Sequence, residues 1–306
     1  AGQMGPMAAY LPLLARVGVE IDLRPLHEIV PATVSGAPLR AAPEWHIARW
    51  EALHSDGVVQ RAALGVEEVE RGAYLGRRTL VHELAHLVYQ NLLPEPRRSR
   101  VRALYLAAAG AGRLAPEVAR NEWEYLGHLF EVYFSPARQP TIEPWGGSTR
   151  TELLRTDPDG FNFIAEVAAE LERSLAGDPL TLRGERAEMY RRLAGEARRG
   201  AQGRPAGLEY AAVLLDSALV HDGAYLPAMV EYAAVEAARS RFDRAEEWLM
   251  LAEGIDPAAP AVQIARSDLL AARRAPLPAT AEMRLHHVQA AVAAEPDPIV
   301  RARYAL

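Results

Sequence analysis

Two histidines and a glutamate in one short segment have the spacing of a metal site. The segment reads His82-Glu83-Leu84-Ala85-His86, which is an HExxH pattern. Residues four positions apart on an α-helix lie one turn apart on the same face, so His82 and His86 can bind a single cation. Glu83 lies about 100° further round the helix, where its carboxylate can reach a metal-bound water without binding the metal. The pattern predicts Zn²⁺ bound by His82 and His86, with Glu83 as the catalytic base.

The alternative interpretation of this segment is a histidine pair that is hydrogen-bonded inside the protein core. The predicted helix over 80–93 is apolar nearly all round and stops at Pro94, so we expect it to be buried. Two imidazoles and a carboxylate in such a helix need partners to offset their desolvation. A metal ion provides those partners most simply, which favours the zinc interpretation.

Catalytic zinc usually has three protein ligands and one open position, so a third ligand is required. Segment 121–130, Asn-Glu-Trp-Glu-Tyr-Leu-Gly-His-Leu-Phe, is predicted to be helical and is rich in ligand types. The chain between His86 and Glu124 is long enough for a helix, two turns and a return to the metal. Glu124 is therefore the predicted third ligand. His128 and Glu131 share roughly the same face one and two turns later, and His128 is either a rival ligand or a residue that supports one.

These segments together resemble a known family. The HExxH helix is followed by Asn-Glu-x-Glu-aromatic-x-small-x-x-Phe at 121–130 and by Phe-Asn-Phe-Ile at 161–164. This order is similar to that in the catalytic domain of anthrax lethal factor and its bacterial relatives, the lethal-factor-like zinc metallopeptidases. The resemblance covers about residues 75–170 and is most specific at the HExxH segment.

The resemblance implies a gluzincin-type peptidase, and it implies the same site residues: zinc ligands at His82, His86 and Glu124, and a general base at Glu83. The wider zincin class implies a small sheet over the active-site helix, with an edge strand that binds an extended substrate. We expect that strand between Trp45 and Leu64. The chain departs from the family at Gly127-His128, where the family has Ala-Glu, so the role of that family glutamate has no counterpart at this position.

The last third of the chain contains an internal repeat. A shift of 34 residues superimposes alanine-rich segments, and the matched pairs are Ala211 with Ala245, Leu215 with Leu249, Ala218 with Ala252, and Asp222 with Asp256. The period resembles that of the tetratricopeptide family, best over 226–260, and this resemblance implies stacked helix pairs that bind a protein partner or substrate. The alternative is an ordinary alanine-rich helical bundle.

These patterns predict a mainly α protein of the α+β class in two domains. A zincin-like metallopeptidase domain with a small sheet is expected over 1–178. A tetratricopeptide-like helical repeat domain is expected over 179–306, after the turn-forming Gly177-Asp178-Pro179.

Composition excludes several classes of function. All 34 basic residues are arginine and there is no cysteine, which rules out phosphate-loop lysines, Schiff-base enzymes, thiol nucleophiles and disulfides. The net charge of −6 argues against nucleic acid as a partner, and no apolar run is long enough to span a membrane. No signal peptide is expected in this chain, and the cytoplasm is favoured over secretion. The arginine cluster of segment 97–102 is predicted to be a solvated face, with recognition of an acidic substrate as the alternative.

Two hypotheses of function follow. In the first, the protein is a zinc metallopeptidase that hydrolyses peptide bonds with a zinc-activated water, while its helical repeats bind a protein partner or the substrate. In the second, the helical repeats form a binding scaffold and the zincin-like domain is catalytically inactive.

Overall fold

The structure, a computed structural model, describes residues 4–25, 48–53, 59–66, 79–116, 118–134, 149–273, 278–295, 301 and 304. The chain is mainly helical and divides into two compact units, Ala1–Glu185 and Arg186–Leu306. This division lies in the first turn of a helix, a little after the predicted boundary at 178. Within the described ranges, no helix combines the length and the apolar character that crossing a bilayer requires.

Near the start of the first unit, a short 3₁₀ helix, Gly5–Tyr10, continues directly into helix α1, Leu11–Arg16. Its other α-helices are α2 (Thr79–Asn91), α3 (Glu95–Gly110), α4 (Glu122–Phe134), α5 (Arg150–Thr156) and α6 (Pro158–Leu175). A second 3₁₀ turn, Val118–Arg120, precedes α4.

A three-stranded sheet accompanies these helices. Its strands are β1 (Glu20–Arg24), β2 (Ala48–Leu53) and β3 (Val59–Gly65), in the order β1-β3-β2. Strand β3 pairs parallel with β1 and antiparallel with β2. Helix α2 contacts both β3 and β2, so the sheet lies against the helix that carries the HExxH segment.

The region in which we expected an edge strand therefore holds two strands, of which β2 lies at an edge and β3 at the centre. Residues 45–47 and 54–58 of that region lie outside the described residues. Substrate binding by an edge strand stays a prediction. Strand β1 was not predicted at all.

Helices α2 and α4 form the centre of the first unit. Helix α2 is buried on nearly all sides, as its apolar sequence predicted, and Val81, Ala85 and Val88 are completely inaccessible to solvent. Helix α4 contacts α2 and also packs against α3, α5 and α6. The two helices that carry the predicted ligands are thus direct neighbours within the core.

A buried hydrogen bond joins α4 to the start of α6. The Tyr125 hydroxyl donates to Oδ2 of Asp157 at 2.5 Å, and both side chains are buried. Asp157 also accepts from the backbone N–H of Gly160 at 3.3 Å, so it caps α6 while it anchors α4. The helix that carries Glu124 is therefore fixed by a polar contact as well as by apolar packing.

The second unit is helical throughout its described residues. Its helices are α7 (Arg183–Ala201, whose first three residues belong to the first unit), α8 (Pro205–His221), α9 (Leu226–Ala238), α10 (Phe242–Ile255), α11 (Pro260–Ala272) and α12 (Pro278–Ala294). From α8 onward each helix contacts the next, and α9 also contacts α11.

The 34-residue shift of the sequence also relates features of this unit. It carries both ends of α9 onto both ends of α11. The aspartates that follow α8 and α10 have nearly the same backbone conformation, with φ −142° and ψ 96° at Asp222 and φ −146° and ψ 98° at Asp256. The matched alanines and leucines share complete burial; they are Ala211, Leu215, Ala218, Ala245, Leu249 and Ala252. Small residues at these places allow the helices to approach closely.

We predict that Tyr125→Phe lowers the free energy of unfolding by about 1–2 kcal/mol, because the buried Asp157 carboxylate loses a hydrogen-bond donor. Chemical denaturation followed by circular dichroism measures this loss. The matched control is Tyr210→Phe at an exposed tyrosine, which should change the free energy by less than about 0.5 kcal/mol. Equal effects of the two substitutions would contradict the assigned role of the Tyr125 hydroxyl.

Candidate metal centre

The two histidines of the HExxH segment lie side by side on helix α2. Their ring centroids are 4.6 Å apart and the rings meet edge to face. The His86 side chain is 2% exposed and that of His82 is 18% exposed. The helical spacing therefore brings both imidazoles to one face, as expected, at a place that is almost closed to solvent.

Glu124 approaches the histidines from the first turn of helix α4. The side chain of Asn121 caps this helix, because its Oδ1 accepts hydrogen bonds from the backbone N–H groups of Trp123 at 3.0 Å and Glu124 at 2.9 Å. This cap fixes the backbone of the turn that carries Glu124. Oε2 of Glu124 lies 3.3 Å from Nε2 of His82 and 3.9 Å from Nε2 of His86.

The three predicted ligands thus form one group. One ligand atom from each of His82, His86 and Glu124 lies within 4.8 Å of the others, and this is the metal-compatible group found among the described residues. Donors around a tetrahedral zinc ion lie roughly 3.4 Å apart when the bonds are near 2.1 Å, so the observed separations suit the ion after small side-chain movements. Two imidazole nitrogens and one carboxylate oxygen are also a donor set that zinc accepts. His128, the rival ligand, does not belong to this group.

Gly127 makes the close approach of the two helices possible. A Cβ atom at this position would lie 2.7 Å from Nε2 and 2.8 Å from Cε1 of His82. Carbon atoms do not tolerate such distances, so any side chain at 127 would displace the imidazole. Gly127, one of the two positions that differ from the lethal-factor-like pattern, therefore lies directly against a predicted ligand.

A second carboxylate contacts His82 from the other side. Oε2 of Glu131 lies 3.2 Å from Nδ1 of His82, and the Glu131 side chain is buried. Burial lowers the pKa of His82, but the hydrogen bonds to Glu124 and Glu131 outweigh this effect and raise it to about 10. Positive charge is therefore strongly favoured at this point. The sequence had indicated only that Glu131 shares a face with Glu124.

Glu83 follows His82 in the chain, and burial shifts the pKa of its carboxylate. Its Oε2 atom is buried and makes no hydrogen bond with any residue of the described ranges. Burial raises the pKa of Glu83 to about 7; the nearby charges of Glu124 and Glu131 act in the same direction, whereas that of His82 opposes them. A carboxylate that exchanges its proton near neutral pH is suited to general base catalysis.

Tyrosines of helices α2, α3 and α4 are chemically able to stabilise an oxyanion, but most of their hydroxyls are engaged elsewhere. The hydroxyl of Tyr89 donates to Glu122, that of Tyr105 to the carbonyl oxygen of Ala119, and that of Tyr125 to Asp157. The ring of Tyr133 contacts Phe161 and the Arg150 guanidinium. None of these contacts connects a tyrosine to the three predicted ligands.

The arginine cluster on helix α3 is paired with carboxylates of the same unit. The pairs are Arg97 with Glu170 and Glu185, Arg98 with Glu95, Arg100 with Glu166, and Arg102 with Glu122. Because these cations already have anionic partners, the contacts favour a structural face over recognition of an acidic substrate.

In comparisons with known proteins, no protein-family model, curated protein or solved structure matches the chain.

We predict that Gly127→Ala weakens zinc binding about tenfold or more, because the new methyl group displaces the His82 ring from its place in the ligand group. Helix content should not fall, because alanine is favoured over glycine in a helix by about 1 kcal/mol. Isothermal titration with Zn²⁺ and circular dichroism measure the two effects.

The matched control is Gly200→Ala in helix α7, where an added Cβ meets no atom within 4 Å. This variant should bind zinc as the unmodified protein does. Zinc affinity that is unchanged in Gly127→Ala would show that the His82 ring is not held where we place it.

Proposed function

We propose that the protein is a zinc-dependent metallopeptidase of the gluzincin type. The observation that carries the proposal is the convergence of His82, His86 and Glu124 from two helices, with the buried carboxylate of Glu83 beside them. The order of these residues in the sequence and their resemblance to lethal-factor-like peptidases support the same activity.

The residues divide into two roles. The three ligands would hold Zn²⁺, which supplies a Lewis acid that polarises a peptide carbonyl and acidifies water. Glu83 would accept a proton from the attacking water and transfer it to the leaving amine nitrogen. The buried Oε2 atom has no hydrogen-bond partner among the described residues, which supports this role, because a base that is tied up in a structural hydrogen bond would have to break that bond first.

The second unit would supply binding rather than chemistry. Its matched helix bounds, matched aspartate conformations and buried alanines at the 34-residue shift support stacked repeats of the tetratricopeptide type. Such repeats bind extended segments of other proteins, so a protein partner or the peptide substrate is the proposed ligand of this unit.

One observation favours the alternative of an inactive scaffold. His82 lies within hydrogen-bonding distance of both Glu124 and Glu131, so a protonated imidazole would satisfy both carboxylates without a metal. In that case the group is a buried ion-pair network and the helical repeats are the active part. Direct measurement of bound metal separates the two functions.

We predict that the protein binds one zinc ion and that Glu83→Gln keeps this ion while turnover falls by about 10²–10⁴-fold, because only the base is lost. His86→Ala should lose both the zinc and the activity, because a ligand is removed. Elemental analysis gives the metal content, and cleavage of a peptide library gives the activity.

His286→Ala is the matched control, since His286 is an exposed histidine in helix α12 of the second unit. It should retain both zinc and activity. A protein that binds zinc but cleaves no peptide, or one in which Glu83→Gln remains fully active, would contradict the proposed peptidase.

A further inference from the structure

The two ring nitrogens of His82 face different carboxylates of the same helix. Nε2 lies 3.3 Å from Glu124, within the ligand group, and Nδ1 lies 3.2 Å from Glu131, outside it. Glu124 and Glu131 are seven positions apart on α4, which places them two turns apart on one face. Helix α4 therefore presents one carboxylate to each edge of a single imidazole.

The two ring nitrogens of a neutral imidazole have different roles. A neutral imidazole carries one N–H, and the other nitrogen has the lone pair that binds a metal. An ionised carboxylate accepts hydrogen bonds and donates none. The contact at 3.2 Å places a proton on Nδ1 of His82, so the neutral form of the ring that binds a metal has its lone pair on Nε2. Without a metal, Nε2 can carry a second proton, which faces Glu124.

The burial of Glu131 makes the contact effective. Its side chain is only 8% exposed, so water competes weakly for the imidazole N–H. Helix α4 positions this carboxylate two turns beyond Glu124. The His82 ring also packs closely against α4 at Gly127. Its orientation is therefore restricted both by Gly127 and by Glu131.

We propose that Glu131 is a positioning residue that orients His82 for zinc binding. It accepts the Nδ1–H hydrogen bond, fixes the tautomer with a free Nε2 and increases the affinity of that nitrogen for the metal. This inference rests on the proposed zinc site but not on peptidase activity. It assigns to Glu131, three residues beyond the position where the chain departs from the family pattern, a role that the sequence did not reveal.

The test compares Zn²⁺ affinity in three variants by competition with a chelator of known affinity. Glu131→Leu should weaken zinc binding by about 10- to 100-fold, which is the usual effect of removing a carboxylate that orients a ligand histidine. Glu131→Gln should lose less, because its amide oxygen still accepts the hydrogen bond but carries no charge. The third variant, Glu122→Gln, is the matched control.

Glu122 suits that purpose because it lies on the same helix and its carboxylate contacts Tyr89 and Arg102. Its loss should leave zinc affinity within about twofold of the unmodified protein. A Co²⁺-substituted sample provides a second measurement, because the visible spectrum reports ligand geometry. The spectrum should change in Glu131→Leu and not in Glu122→Gln.

A purely structural role for Glu131 predicts a different result. In that case the thermal stability of the metal-free protein falls in Glu131→Leu, while the zinc affinity and the Co²⁺ spectrum stay as in the unmodified protein, and the inference is overturned. Absence of zinc binding by the unmodified protein would overturn both the inference and the proposed function. Zinc binding without peptidase activity would contradict only the proposed activity, and the affinities of the variants would still decide the role of Glu131.

Discussion

Helices α2 and α4 meet where Gly127 lies against the imidazole of His82, and the geometry of the whole site depends on that contact. Because no side chain separates the helices at this point, the ligand from α4 comes within 3.3 Å of the nearer histidine and 3.9 Å of the farther one. A wider spacing of the helices would leave a pair of histidines on one element and an isolated carboxylate on the other. The Asn121 cap and the buried Tyr125–Asp157 hydrogen bond hold α4 in the required place.

The charges around the His82 imidazole determine which cation the site can bind. Three carboxylates, those of Glu83, Glu124 and Glu131, act on one largely buried imidazole. Buried negative charge is costly unless it is compensated, so the cluster stabilises either a proton or a metal cation at its centre. The same arrangement that would retain zinc also retains a proton on His82 in the absence of metal, which is why metal content is the decisive property of this protein.

The two units differ in how far apart in the sequence their contacting segments lie. In the second unit, most contacts join helices that are adjacent in sequence, and alanines and leucines recur at matched buried positions, so the local sequence pattern describes much of its arrangement. In the first unit, strands, a short 3₁₀ turn and helices of unequal length surround one pair of helices. Its arrangement depends on contacts between segments that are distant in sequence, which a local pattern describes poorly.

The sequence determined the elements of the site. A nearly continuous apolar segment that stops at Pro94 defined the buried helix of the HExxH segment, and helical spacing put both histidines on one face, because these are local properties of the chain. It also indicated strands within 45–64 but missed β1, although Glu-Ile-Asp-Leu-Arg alternates polar and apolar residues, because five residues beside a short helix give too weak a signal.

Only the tertiary structure decided which residues meet. It brought Glu124 rather than His128 to the two histidines, turned Glu131 towards Nδ1 of His82 and gave Gly127 its place beside that ring. All three facts are distances between residues about 40 to 50 positions apart in the chain. Residue types and spacing state what a side chain can do, but the packing of α4 on α2 fixes what it contacts.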